Sequence, residues 1–218
     1  MRKNKLIIIS IILIVIFCLG FNYIYAYYTN KVEKVNKFKA GEIEVLVTEP
    51  NYEDNQVVKP NGEIKKDPTF KNTGTISTYI RAQIYVPVSK NLKYVDNNEN
   101  IVVPSEEIEL LSYNTNSGWE LVTEDGFSGS YEDTDGNRYN VYTYKFMENG
   151  FEKIVKPNET IDKTLFDKVK IINYLDMDTT VNLKLYVSAI AVQSDGDTAE
   201  NMWTYYKNQN GTGIVGVK

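Results

Sequence analysis

The chain has 218 residues, no His, one Cys and a formal charge of −5. That composition excludes imidazole general bases, the Ser-His-Asp triad, disulfides and imidazole metal sites, and thiolate chemistry goes too if Cys18 leaves with an exported leader. Apolar residues at 42% and charged residues at 24% suit a globular chain that buries a core, and the 17 Tyr favour pleated sheet.

The first elements are an address. Arg2, Lys3 and Lys5 precede an apolar run over residues 6–21 that is broken only by Ser10 and Gly20. Ile24-Tyr25-Ala26 then places a small residue where a signal peptidase cuts. The pattern predicts a signal helix over 1–26 with cleavage between Ala26 and Tyr27. An uncleaved anchor is the alternative, although the run of 16 residues is short against the roughly twenty of a membrane span. Phe17 is too bulky to precede a lipidated Cys18. Removal of 1–26 leaves 21 basic against 29 acidic residues, a charge of −8. An acidic chain without a basic cluster is unsuited to nucleic acid or an anionic membrane surface. Membrane contact is therefore expected only before cleavage.

Beyond the leader, strand signals dominate. Ile43, Val45 and Val47 alternate with Glu42, Glu44 and Leu46. Ile80, Ala82, Ile84, Val86 and Val88 alternate with Arg81, Gln83, Tyr85 and Pro87, which predicts one buried and one wet face. Residues 139–146 place Tyr142, Tyr144 and Phe146 on one side. Val181, Leu183, Leu185, Val187, Ala189 and Ala191 form the longest alternating run. Its other face carries Tyr186, Ile190 and Val192, the pattern of a central strand covered on both sides.

Asn61-Gly62, Asn72-Thr73-Gly74, Asp125-Gly126, Asp135-Gly136 and Asn149-Gly150 supply turns, and Asn149-Gly150 marks the clearest hairpin. Ser194-Asp195-Gly196-Asp197 is expected to cap a short helix through Met202, Trp203 and Tyr206. The expectation is an all-β, jelly-roll-like antiparallel sandwich over 39–206, with one short C-terminal helix and the N-terminal signal helix. Residues 207–218 read as a flexible tail or a short terminal strand.

Two segments invite chemistry. Glu132-Asp133-Thr134-Asp135-Gly136-Asn137 is rich in oxygen ligands, but it lacks the spacing and closing Glu of a calcium loop and reads as an acidic hairpin tip. Residues 66–74 read as a strand and its turn, with Pro68 at a strand start or edge. No catalytic carboxylate pair stands out, and no metal or cofactor is expected.

Several pieces, in order, resemble one family. Ala26-Tyr27-Tyr28-Thr29-Asn30 is similar to an export junction, and Asn36-Lys37-Phe38-Lys39-Ala40-Gly41-Glu42-Ile43-Glu44-Val45 to the segment that follows it. Lys66-Asp67-Pro68-Thr69-Phe70-Lys71-Asn72-Thr73-Gly74-Thr75 with Tyr79-Ile80-Arg81 is the sharpest match. Thr164-Leu165-Phe166-Asp167-Lys168-Val169 follows, then Ala189-Ile190-Ala191-Val192-Gln193-Ser194-Asp195-Gly196 before Trp203. Together they resemble the TasA/camelysin family of exported matrix proteins processed by a SipW-type signal peptidase. Departures are Val192, which is inserted into the last piece, and Asn61-Gly62-Glu63, which stands where many members have Pro-Gly.

The resemblance implies a jelly roll, secretion from a Gram-positive cell and assembly into biofilm-matrix fibres. The released N-terminal segment would act as donor strand to the next copy, or to related matrix proteins. The candidate donor is 27–38, with Tyr27, Tyr28, Val32, Val35 and Phe38 as its apolar positions. An ordinary first strand or a loose terminus is the alternative for this segment. For the whole chain the alternatives are a monomeric cell-surface binding module and a camelysin-like metallopeptidase. The latter sits poorly with a chain that has no H-E-x-x-H and no His.

Overall fold

The computed structural model describes residues 41–52, 59–178 and 181–215. The expected signal helix, with Ala26, lies outside the described residues. In chain order the strands are β1 (Val45–Thr48), β2 (Glu63–Lys65), β3 (Thr69–Asn72), β4 (Thr78–Ser89), β5 (Leu92–Val95), β6 (Ile101–Val102), β7 (Ile108–Glu109) and β8 (Leu111–Tyr113). There follow β9 (Trp119–Leu121), β10 (Gly129–Glu132), β11 (Arg138–Glu148), β12 (Phe151–Glu152), β13 (Ile154–Val155), β14 (Lys168–Ile171), β15 (Tyr174–Met177), β16 (Tyr186–Gln193) and a helix, α1 (Ala199–Asn210). The fold is an all-β antiparallel sandwich with one short C-terminal helix among the described residues.

The larger layer is built on β4. One side of β4 pairs with β11, from Tyr139↔Pro87 to Lys145↔Arg81, and it also pairs with β16, from Tyr186↔Tyr85 to Gln193↔Thr78. β9, β10 and β12 add to β11, while β7 and β13 add to β4. The facing layer contains β2–β14–β8 and β1–β3. Residues 160–167 join its two parts, since Ile161 N–H donates to Phe70 O, Leu165 N–H to Pro68 O and Lys66 N–H to Asp167 O. β15, β5 and β6 form a separate small sheet.

Period two decides what meets between the layers. Ile80, Ala82, Ile84 and Val86 of β4 pack there with Phe70, Phe146, Leu165, Phe166, Val169 and Ile171. Each fully buried side chain of this size contributes about 1.5–3 kcal/mol. The expected turn at Asn149-Gly150 joins β11 to β12, with φ of 53° and 83° at the two residues, as a tight hairpin of this hand requires.

The second face of β4, expected to be wet, is buried. Tyr79, Arg81, Gln83 and Tyr85 all point to it, and α1 and the chain after it cover it. Period two reports a change of polarity, and here the polar side chains are buried with partners. Arg81, 1% exposed, lies over both the Phe127 and Trp203 rings, 4.7 and 4.5 Å from their centroids. It donates to both oxygens of Glu124 and both of Glu152, while Trp203 Nε1 donates to Glu152 Oε1 at 2.7 Å. Gln83 Nε2 donates to Gly213 O at 2.7 Å, Gln83 Oε1 accepts from Val215 N–H, and Tyr85 OH donates to Val215 O.

The helix is capped by Thr198, whose hydroxyl accepts from Asn201 N–H, and Asp197 Oδ1 accepts from Thr198 N–H at 2.8 Å. It runs past Tyr206 to Asn210. Gly211, at φ 73°, ends it and donates its N–H to Lys207 O.

Candidate strand-acceptor edge

The residues that resemble a family build the entry to the sandwich. Asn72 is fully buried. Its amide donates to Ile76 O and Val155 O at 2.8 and 2.9 Å, and its Oδ1 accepts from Gly74 N–H. Thr73 and Gly74 N–H donate to Glu44 O, and Thr75 N–H donates to Glu42 O. A Cβ at position 74 would stand 2.3 Å from Glu42 O, so the close approach requires glycine. The Asn-Thr-Gly turn thus clamps residues 42–44 and feeds the chain into β1. Pro68 directly precedes β3, where its missing N–H costs no ladder bond. Asp67 accepts from Asn51 N–H and Asn51 Nδ2 at 2.9 and 2.6 Å, and Lys66 pairs with Glu49 at 2.7 Å. These groups are occupied in tying the strand entry together.

β16 departs from the central position its two apolar faces imply. It pairs with β4 alone, and no strand meets its outer edge among the described residues. The strand also starts at Tyr186, later than the alternating run. Its two-sided pattern arises because Val187, Ala189 and Ala191 face the interlayer core while Ile190 and Val192 face α1. The central strand is β4.

β1 comes within 8 Å of β16, Cα to Cα, and among the described residues pairs with β3 alone. Val45 and Val47 of β1 and Val187, Ala189 and Ala191 of β16 are half-buried against the core. The seam between the layers is therefore lined by small and β-branched apolar side chains. At the Gln193 end lies a groove of about 490 Å³, lined by Ile43, Ala191, Met202 and Tyr205 together with Asp195 and Asp197.

The edge on the far side of the same sheet is different. β10 is short, reads Gly-Ser-Tyr-Glu and ends in the acidic hairpin. Asp133 closes that hairpin: it accepts from the N–H groups of Asp135 and Asn137, from Asn137 Nδ2 and from Tyr139 OH. The Asn137 side-chain bond, first among these, holds its carboxyl below the usual range. Among the described residues no three Asp or Glu side chains gather in a metal-binding arrangement.

Comparison with protein families, with curated proteins and with solved structures gives no match to this chain. The predicted cleavage pair Ala26 and Tyr27, and the predicted donor positions Tyr27, Tyr28, Val32, Val35 and Phe38, lie outside the described residues. The acceptor edge was not identified from sequence. Its one signal is that β16 reads Tyr-Val-Ser-Ala-Ile-Ala-Val-Gln, eight residues without a charge.

Proposed function

We propose that this chain is a secreted structural protein, a subunit or accessory of an extracellular matrix fibre. It polymerises head to tail by strand addition, with no enzymatic activity. The observation that carries the reading is the outer edge of β16, which no strand meets among the described residues and which is eight residues long, uncharged and apolar on both faces. Soluble proteins usually guard such an edge with charge, proline or brevity, because its unpaired N–H and C=O groups template another chain. An added strand would gain backbone hydrogen bonds, while its alternate side chains would fill the seam beside Ala189 and Ala191. Filling one copy's edge with a segment of the next is a heterologous contact, which propagates as a filament.

The resemblance to the TasA/camelysin family supports the same reading and assigns the donor to residues 27–38, released by a SipW-type signal peptidase. It also supports a Gram-positive cell surface or biofilm matrix as the location. The test is size-exclusion chromatography and negative-stain microscopy of the chain starting at Tyr27, with and without residues 27–38. Filaments that vanish on deletion are the expected result. A persistent monomer at high concentration would leave a monomeric surface module instead.

A further inference from the structure

We propose that the groove beside α1 reads lysine side chains of the 27–38 segment of a neighbouring copy, so that docking is directed by charge as well as by backbone pairing. This rests on the strand-addition reading and adds a recognition element to it.

The groove lies where a strand running along β16 would pass Gln193 and meet the helix. Its walls offer Ile43 and Met202 for aliphatic stems, and Tyr205, 52% exposed, offers a ring. Asp195 and Asp197 also line it, and among the described residues no Lys or Arg does. Asp197 is fixed by bonds from Asn201 Nδ2 and Thr198 N–H, both at 2.8 Å. Those bonds, the Asn201 side chain first, hold its carboxyl below the usual range, so it stays charged near neutral pH. A lysine combines an apolar stem with a cationic tip, the shape of ligand that such a mixed apolar and acidic lining fits.

The charge of the chain is divided in the matching sense. Residues 27–38 carry Lys31, Lys34 and Lys37 against Glu33 alone, whereas residues 39–218 carry 18 basic against 28 acidic residues. The one basic stretch next to the domain is thus the segment proposed to leave it and join another copy. Charge complementarity of this kind sets register and speeds encounter more than it adds affinity.

The experiment is a disulfide trap in the chain starting at Tyr27. Asn36→Cys is placed between Lys34 and Lys37, Gln209→Cys is placed on the groove wall, and the products are resolved on non-reducing gels under mild oxidation. The expected result is an intermolecular ladder. Its rate should fall about fivefold to tenfold between 0.05 and 0.5 M NaCl, and by a similar factor on Asp195→Asn with Asp197→Asn or on Lys31, Lys34 and Lys37→Gln. Circular dichroism confirms that each variant is folded. An intramolecular disulfide alone would overturn the neighbouring-copy assignment. Filaments that form without the cross-link, or with a rate indifferent to salt and to these charges, would overturn the lysine-reading groove and leave strand addition standing. Absence of both filaments and cross-link would overturn the two together.

Discussion

At the scale of residues, the side chains that look reactive are spent on architecture. Asn72 satisfies two carbonyls and one N–H in a dry site. Asn72→Ala leaves Ile76 O and Val155 O without that donor, and a loss of about 2–4 kcal/mol is expected in urea unfolding. Arg81 is held by two carboxylates, Glu152 only 6% exposed and Glu124 more open. Arg81→Met leaves Glu152 as a buried charge with the Trp203 Nε1 donor alone, so about 3–5 kcal/mol is expected by the same measurement. Buried tyrosines set an alkaline limit. Burial first, for both, pushes Tyr85 and Tyr142 up to about 12 from an ordinary 10.0, and the Glu109 carboxylate adds to the effect at Tyr142. A folded-state pKa raised above the unfolded one gives stability that is complete below pH 10 and lost as the pH climbs toward 12. Absorbance at 295 nm should show these phenols ionising together with the loss of circular dichroism. Titration of all tyrosines near pH 10 with the fold intact would contradict the burial. The tyrosine content was plain in the sequence. Which phenols are buried depends on non-local packing: residues 211–215 fold back over Tyr85, and Tyr142 packs against the core between the layers beside Glu109.

At the scale of elements, sequence periodicity located most strands and the helix, and it misread one face and one strand position for one reason. Alternation distinguishes apolar from polar positions, and it does not report what covers a face or whether an edge is paired. β4 alternates through Arg81 and Gln83, yet both are buried, because Glu124, Glu152 and the helix's Trp203 meet Arg81 and the terminal chain meets Gln83. β16 is apolar on both faces, yet lies at an edge, because α1 covers one face and the facing layer the other. The Asn149-Gly150 hairpin was legible because its signal is local. The helix joins these observations, since it covers β16 and walls the groove. Trp203, 1% exposed, is its anchor. Trp203→Ala is expected to cost about 3–5 kcal/mol and to abolish the groove, whereas Thr198→Ala should cost about 1 kcal/mol through the lost cap. Equal effects of the two in thermal unfolding would mean that the helix is not docked as described.

At the scale of the molecule, the sheet has two unlike edges. β10 ends in a turn closed by Asp133, while β16 presents eight uncharged residues beside a seam of small side chains. On the proposed reading, strand addition at the second edge would make the polymer directional and leave the fold of each copy unchanged. The candidate donor positions Tyr27, Tyr28, Val32, Val35 and Phe38 come from the family resemblance and lie outside the described residues. The candidate acceptor edge was not legible, since the pairing of a strand's outer edge leaves no mark in that strand's own alternation. Residue-resolved hydrogen exchange across residues 186–193, in the monomer and in the filament, tests this most directly. The account predicts that the amides on the outer edge of β16 exchange rapidly in the monomer and become protected on assembly, while those paired to β4 are protected in both. Filaments in which the outer amides still exchange at the monomer rate would contradict it.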